Sequence, residues 1–282
     1  MESFRTADGR IVSYRREGTG PMLVCHPGGP GFSSRYFGDL AGLGESFTLI
    51  LLNPRGTEGS DRPSDPGAYR TADYVSDLDE LRAHLGLQRM LLLGHSHGGV
   101  VAAAYAAAHP DRVERLVLAS TLARFAEEQN AAMEAAMDAR SEEPWYADAR
   151  AALDDEQEGR FDTDEELGEL ALREFPFYFR RYGAAEEAYL DTLRGEIPVA
   201  DALLLFNNED WTTFDLRPDL PKITAPTLVI TGEDDFITGP VSAADFASIP
   251  RQTTIVLPDC GHFIFFEARD RFRAEVTQHL SE

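Results

Sequence analysis

The stretch MLLLGHSHGG, residues 90–99, decides the fold of this 282-residue chain. The apolar run Met90–Leu93 predicts a buried strand, and an alanine-rich helix follows the glycines. Between them stands a Gly-x-Ser-x-Gly pattern centred on Ser96, whose flanking glycines allow a sharp turn. The pattern predicts a strand–turn–helix unit that presents the Ser96 hydroxyl at a helix amino terminus, where developing negative charge is favoured.

Strand and helix signals alternate on both sides of this unit. Upstream, apolar runs at Met22–Cys25 and Phe47–Leu52 predict buried strands, and a hairpin is predicted around Asp8-Gly9. Further strands are predicted over 113–119, 227–231 and 253–257, and helices over 71–86, 97–109, 241–248 and the carboxyl terminus. This alternation predicts an α/β fold with a mostly parallel central sheet flanked by helices on both faces.

Residues 122–220 interrupt the alternation. This segment is helical in pattern, acidic and without strand-like runs, and it contains the aromatic run Phe175–Phe179. We interpret it as a helical cap subdomain inserted before the last two strands of the sheet. The predicted core then consists of residues 1–121 and 221–282.

A Gly-x-Ser-x-Gly pattern between a strand and a helix is typical of the α/β-hydrolase fold, in which a nucleophilic serine precedes an acid and then a histidine along the chain. A serine hydroxyl is a weak nucleophile near neutral pH and needs a base. We expect His262 to be that base for Ser96, because it follows a predicted strand and a short loop at 258–261.

Three acidic residues follow the strand predicted at 227–231, namely Glu233, Asp234 and Asp235. Related sequences place the acid three residues after the glycine that ends this strand, which selects Asp235 and leaves Asp234 as the alternative. The acid would fix the tautomer of His262 and stabilise its cation.

A glycine-rich loop, HPGGPG at residues 26–31, follows the strand predicted at Met22. Glycines let a backbone approach a substrate closely and direct an amide at it. In this fold, one amide of the oxyanion hole comes from this loop and the other from the residue after the nucleophile. We therefore predict that the amides of Gly29 and His97 form the oxyanion hole.

Three segments together resemble the proline iminopeptidase branch of the α/β-hydrolases, a group of serine peptidases. They are GGPG at 28–31, NPRGTEGS at 53–60 and GHSHGG at 94–99. The resemblance covers the core over most of the chain and is weak in the insertion. It implies a helical cap over the active site and the removal of an N-terminal residue, often proline, from short peptides.

The chain departs from that family at positions that concern the substrate. Several members carry an acidic residue directly after the catalytic aspartate, where it binds the free amine of the substrate, but this chain has Phe236. The resemblance also implies an amine-binding acid from the cap, for which Glu209 is a candidate. We expect Phe236 and Glu209 to contact the substrate.

Two aromatic residues of the insertion, Phe177 and Tyr178, are further candidates for substrate binding. They either line an apolar pocket, together with their aromatic neighbours in the run 175–179, or pack the cap onto the core.

Composition limits the partners of the chain. Its formal net charge is −23, so its surface should repel phosphate backbones and anionic membranes, and we expect no nucleic-acid partner. Residues 126–170 hold sixteen acidic residues against three arginines, which we interpret as a solvated helical surface rather than a site that attracts cations.

The remaining features of the sequence concern its location. No apolar run approaches 18 residues, so we expect no membrane-spanning helix, and the amino terminus has no apolar signal segment. With only two cysteines, Cys25 and Cys260, a disulfide framework is not expected and a cytoplasmic location is favoured.

These features predict a serine hydrolase that cleaves an amide or ester in a small molecule or short peptide and needs no metal or organic cofactor. The favoured activity is that of a proline iminopeptidase-like aminopeptidase. A carboxylesterase or lactonase acting on a small apolar acyl group is the alternative, and carbon–carbon bond hydrolases and cofactor-free perhydrolases share the same triad. A non-catalytic ligand-binding protein on a hydrolase scaffold is the alternative from another class. No oligomeric state is predicted.

Overall fold

The computed structural model describes residues 1–210 and 213–282, with the side chains of Glu209 and Asp210 outside the described part. Within these residues the sheet consists of the strands β1 (Glu2–Arg5), β2 (Ile11–Gly18), β3 (Met22–His26), β4 (Thr48–Leu52), β5 (Met90–His95), β6 (Val113–Ala119), β7 (Thr227–Gly232) and β8 (Gln252–Leu257). Their spatial order is β1-β2-β4-β3-β5-β6-β7-β8. The pairs β1–β2 and β2–β4 are antiparallel and the other neighbours are parallel. The predicted mostly parallel sheet is confirmed.

The helices of the described chain fall into two groups. Those of the core are α1 (Thr71–His84), α2 (His97–Ala108), α8 (Pro240–Ala244), α9 (Ile264–Glu267) and α10 (Arg269–Ser281). Those between β6 and β7 are α3 (Glu127–Asp138), α4 (Tyr146–Gln157), α5 (Asp164–Glu174), α6 (Ala184–Asp191) and α7 (Ala200–Leu205). The predicted helical insertion before the last two strands is therefore confirmed, and the limits predicted for it, 122 and 220, fall in the connections to β6 and β7.

The sheet is buried on both faces because its central strands are apolar at successive positions. Leu92 of β5 belongs to a core formed with α1 and α2, whereas Leu91 and Leu93 belong to a core formed with α10 on the opposite face. Side chains alternate between the faces of a strand, so a continuous apolar run contributes to two cores at once.

The carboxyl ends of the parallel strands meet at one edge of the sheet. His26 at the end of β3 pairs with Gly94 near the end of β5, and Gly94 pairs with Leu118 of β6. The loops that follow β3, β5, β7 and β8 therefore converge, as is usual for ligand sites in open α/β sheets.

The segment NPRGTEGS at 53–60 has a structural role in this arrangement. The Arg55 guanidinium is 2.8 Å from the carboxylate of Asp77 on α1, and both side chains are only 4% exposed. Asp77 also binds Arg10 at 2.8 Å, and Arg55 donates to the backbone oxygen of Asp73 at 2.7 Å. The arginine thereby joins the loop after β4 to α1 through a buried ion-pair network.

Removal of one charge from this network should destabilise the fold. We predict that Asp77→Asn lowers the free energy of unfolding by about 3 kcal/mol, because the buried Arg55 loses its nearest counter-charge and keeps only the Asp73 carboxylate at 3.8 Å. Asp39→Asn, which breaks an ion pair with Arg269 between exposed side chains, should cost about 1 kcal/mol or less. Urea denaturation followed by fluorescence measures both. An equal effect of the two substitutions would contradict this role of Arg55.

Candidate active site

Ser96 lies on a strained turn between β5 and α2. Its backbone angles are φ 55° and ψ −126°, which residues with a side chain rarely adopt. A Cβ at Gly94 would collide with the backbone of Gly98, and a Cβ at Gly98 would collide with the carbonyls of His26 and Pro27. The glycines of the motif are therefore required by close backbone approach, as its spacing predicts.

Hydrogen bonds hold this turn in place. The Ser96 amide donates to the Ala119 oxygen at 3.0 Å, which fixes the turn to the end of β6. The backbone oxygen of Ser96 accepts from the amide of Gly99 at 2.8 Å and from the Thr121 hydroxyl at 2.7 Å. The side chain of Ser96 faces a cavity that is also lined by His262.

His262 and Asp235 form a buried pair at the ends of β8 and β7. Nδ1 of His262 is 2.9 Å from Oδ2 of Asp235. The amide of His262 donates to the backbone oxygen of Tyr178 in the insertion at 2.7 Å, and this bond fixes the loop that carries the histidine.

Thr238 completes this arrangement and was missed by the sequence analysis. Its hydroxyl donates to Asp235 Oδ2 at 2.7 Å, and its amide and that of Ile237 donate to Oδ1 at 3.0 and 3.1 Å. The spacing Asp-x-x-Thr is a signal for such side chain-to-backbone bonds. Burial by itself would raise the pKa of Asp235, but the charge of His262 and the hydrogen bonds from His262 and Thr238 outweigh it and lower the pKa to about 2. The carboxylate is therefore ionised near neutral pH.

The structure distinguishes between the acids that follow β7. The Asp234 carboxylate is 2.8 Å from Nε of Arg180 and belongs to a partly exposed ion pair, and Glu233 is exposed. Of these three residues, Asp235 is the one that contacts the histidine.

Gly29 and His97 both line the cavity beside Ser96. Gly29 has a φ of 44°, in the region that favours glycine. Neither residue uses its amide in a hydrogen bond to another group in the part of the chain that the structure describes. Gly28 packs directly on the turn, since a Cβ at Gly28 would lie 2.5 Å from Cβ of Ser96. The two amides predicted for the oxyanion hole are thus available next to the serine.

The cavity has a volume of about 330 Å³ and lies between the sheet edge and the insertion. Its wall is mostly apolar and includes Phe32, Phe125, Met133, Leu153, Phe175, Leu203, Phe206 and Ile237. No lysine or arginine is among the described residues that line it.

The residues predicted to bind substrate divide into three cases. Tyr178 lines the cavity. Phe177 and Phe236 do not: they are buried and stack on each other with ring centroids 5.7 Å apart, in a cluster with Met137. The expectation that Phe236 contacts the substrate is corrected, and for Phe177 the packing alternative applies, because the two rings pack the insertion onto the core. The side chain of Glu209 lies outside the described part of the structure.

Two carboxylates in the cavity wall were not predicted, Glu156 near the end of α4 and Glu174 at the end of α5. Glu174 is only 4% exposed, and its Oε2 has no hydrogen-bond partner among the described residues. Burial raises the pKa of both groups, and the charge of Glu156 raises that of Glu174 further. The hydroxyl of Tyr178 is 3.4 Å from Oε1 of Glu174.

The position of these two glutamates in their helices was an available signal. Each lies in the last turn of its helix, where the macrodipole disfavours a negative charge. Asp138 at the end of α3 and Asp191 at the end of α6 share this position, so the signal marks candidates and does not by itself single out the two glutamates.

Comparison with known proteins agrees with this geometry. Residues 21–269 match the family model for the alpha/beta hydrolase fold, so the chain belongs to the α/β-hydrolase family. It is 29% identical over 292 residues to a proline iminopeptidase of Lactobacillus helveticus, covering 97% of this chain and 93% of that protein.

Solved structures extend the comparison. The enol-lactonase from Burkholderia xenovorans LB400 has a TM-score of 0.72 and 26% identity, with 100% of both chains covered. The esterase RhEst1 from Rhodococcus sp. ECU1013 has a TM-score of 0.72 and 26% identity over 100% of this chain and 98% of its own. These relatives, with the site described above, define a serine hydrolase of the α/β family, of the branch that resembles the proline iminopeptidases.

The choice between neighbouring aspartates can be tested directly. We predict that Asp235→Asn lowers kcat about 10³- to 10⁴-fold, because an amide in place of the carboxylate favours the wrong tautomer of His262. Asp234→Asn, the matched control, removes only the ion pair with Arg180 and should change kcat less than about threefold. Steady-state hydrolysis of a chromogenic substrate measures both, and a larger loss in Asp234→Asn would reverse the assignment.

Proposed function

We propose that Ser96, His262 and Asp235 act as a catalytic triad in acyl transfer to water. The serine attacks the substrate carbonyl while His262 takes its proton, and His262 then returns the proton to the leaving group. A water molecule hydrolyses the acyl-enzyme in the same way, with His262 again as the base. The proposal is supported by the turn at Ser96 and by the 2.9 Å contact between His262 and Asp235.

The oxyanion that forms in each step would be bound by the amides of Gly29 and His97. His97 is also the first residue of α2, and the dipole of this helix favours negative charge at its amino terminus. The triad and these amides account for the reaction with groups of the chain alone, so the proposed mechanism requires no metal or organic cofactor.

We further propose that the substrate carries a free amine, so that the enzyme is an aminopeptidase for short peptides. The observation that supports this most is the buried Glu174 carboxylate in the cavity wall, whose Oε2 has no hydrogen-bond partner among the residues that the structure describes. A carboxylate buried without a cation or sufficient donors is costly. A substrate ammonium would supply the missing charge and the missing hydrogen bonds.

The surroundings of Glu174 also favour a cation. Glu156 lines the same cavity, and the carboxyl ends of α4 and α5 each place a partial negative charge there. Tyr178 connects this acidic end of the cavity to the base: its hydroxyl contacts Glu174, and its ring lies 5.3 Å from that of His262. The amine-binding role for which Glu209 is the candidate in the sequence is thereby proposed for Glu174 and Glu156.

The comparisons are in line with this assignment. Relatives that match nearly the whole chain are proline iminopeptidases, and a compact, mostly apolar cavity suits a proline side chain. The similarity to an esterase and a lactonase supports the alternative, a small apolar acyl substrate. The same apolar wall would also accommodate such a substrate.

The role of Glu174 is tested with Glu174→Gln. We predict that kcat/KM for proline p-nitroanilide falls about 10- to 100-fold, because a charge-assisted hydrogen bond to the ammonium is lost. Hydrolysis of p-nitrophenyl butyrate, which has no amine, should stay within about threefold. Glu169→Gln, on the exposed face of the same helix, is the matched control and should affect neither substrate.

N-acetyl-proline p-nitroanilide completes the experiment. Wild-type enzyme should hydrolyse it much more slowly than the free amine, and Glu174→Gln should narrow that difference. Hydrolysis of the ester alone by wild-type enzyme would overturn the aminopeptidase assignment in favour of an esterase or lactonase.

We also propose a cytoplasmic enzyme that acts on short peptides or other small molecules. Cys25 and Cys260 are both free and buried, which suits a reducing compartment. In the described residues, no helix has both the length and the apolar character needed to cross a membrane.

A further inference from the structure

Tyr36 and His95 connect the three loops that carry the proposed catalytic groups. The amide of Gly28, in the loop after β3, donates to the Tyr36 hydroxyl at 2.5 Å. That hydroxyl is 2.8 Å from Nδ1 of His95, the residue directly before Ser96. Nε2 of His95 is 3.1 Å from the backbone oxygen of His262. We call this chain of three hydrogen bonds the Tyr36–His95 bridge.

The direction of every hydrogen bond in the bridge is determined by its two ends. The Gly28 amide can only donate, so the Tyr36 oxygen accepts at that contact and its own proton is free to point to His95 Nδ1. The oxygen of His262 can only accept, so Nε2 of His95 carries the other proton. A neutral His95 therefore carries its proton on Nε2 and accepts the Tyr36 proton at Nδ1.

The surroundings of His95 maintain this state. Burial, reinforced by the charge of His262, lowers the pKa of His95 to about 3, so the imidazole is neutral at any pH at which the enzyme would work. The rings of Phe37, Phe263 and Phe265 lie 5.2 to 6.2 Å from that of His95. None of these rings can replace a hydrogen bond that the bridge loses.

We infer that Tyr36 and His95 are positioning residues that hold the oxyanion loop, the nucleophile and the base in one fixed arrangement. The inference rests on the proposed roles of Gly29, Ser96 and His262. Gly28 is adjacent to the proposed oxyanion amide, His95 to the nucleophile, and the His262 oxygen belongs to the base itself. Catalysis by oriented donors depends on such fixed geometry, because donors that must reorganise lose much of their effect.

The Gly-x-Ser-x-Gly pattern does not specify the residue before the serine, and Tyr36 lies outside all three segments that carry the family resemblance. Neither residue is needed to transfer a proton or to form a bond in the proposed reaction. Their effect should therefore appear in how well the transition state is bound rather than in how well the substrate is bound.

The test uses Tyr36→Phe, His95→Leu and the double variant. Tyr105→Phe is the matched control, since it removes a buried hydroxyl that donates to Asp79 away from the cavity. Four quantities are measured for each protein. They are kcat and KM for an amine-bearing and an ester substrate, the inhibition constant of a boronic acid analogue that forms a tetrahedral adduct, and the inhibition constant of the product proline.

We expect kcat to fall about 10- to 100-fold in Tyr36→Phe for both substrates. This decrease is smaller than the decrease in kcat that follows when an oxyanion donor itself is removed. The boronic acid should bind correspondingly more weakly, whereas KM and the inhibition constant of proline stay within about threefold. The kcat of the double variant should be no more than about threefold below that of the less active single variant, because either substitution breaks the same bridge. Tyr105→Phe should leave all these constants unchanged.

The ratio of the two inhibition constants does not depend on how much of a variant is folded, so a loss of stability cannot imitate the expected result. An unchanged ratio in both single variants, or fully additive losses in the double variant, would overturn the inference. Ser96→Ala is measured in parallel. Activity retained in Ser96→Ala would reject the proposed function itself. An inactive Ser96→Ala together with an unaffected Tyr36→Phe would reject only the positioning role of the Tyr36–His95 bridge.

Discussion

The strained backbone at Ser96 is the constraint on which the rest of the site depends. The turn brings the amino terminus of α2 directly to the end of β5, and this leaves room only for glycine at the points where the chain passes itself. The same close packing seats the loop after β3 on the turn, because Gly28 contacts Ser96 and Gly98 contacts the carbonyls of His26 and Pro27. Ser96, the proposed nucleophile, and the loop after β3 are thus packed as one unit against the carboxyl end of the parallel sheet.

The buried carboxylates of the site show two different solutions to the cost of burying charge. Asp235 is satisfied within the protein: a histidine, a hydroxyl and two amides hold it, and its pKa is low. Within the described part of the chain, Oε2 of Glu174 has no hydrogen-bond partner, and burial raises the pKa of this carboxyl. A carboxylate whose hydrogen bonds and counter-charge all come from the protein is suited to orient another side chain. A carboxylate that lacks some of them is suited to bind a ligand that supplies them. We regard this contrast as the main physical argument for an amine-bearing substrate.

The fold and the positions of Ser96, Asp235 and His262 at one edge of the sheet were predictable from the sequence because their signals are local. An apolar strand followed by Gly-x-Ser-x-Gly specifies a turn within ten residues, and the positions of Asp235 and His262 follow from the ends of two further strands. The choice of Asp235 over Asp234 came from related sequences, and the structure explains it through the Asp-x-x-Thr turn and through the ion pair that occupies Asp234.

The substrate end of the site was not predictable in this way. Glu156 and Glu174 lie on different helices of the insertion and meet only through the packing of α4 and α5, for which the sequence offers no fixed spacing. Phe236 was expected to contact the substrate because of its place after Asp235, but its ring is buried in an apolar cluster with residues of the insertion. The Tyr36–His95 bridge likewise joins residues 59 positions apart, so only the fold brings them together.

The most direct test of this account is to trap the acyl-enzyme. Protein mixed with a p-nitrophenyl ester and quenched with acid within milliseconds should gain the mass of one acyl group, and peptide mapping should place that group on Ser96. Ser96→Ala should gain no such mass and release no p-nitrophenol above the uncatalysed rate. An acyl group found on another residue, or continued turnover by Ser96→Ala, would contradict the assignment of Ser96 as the nucleophile.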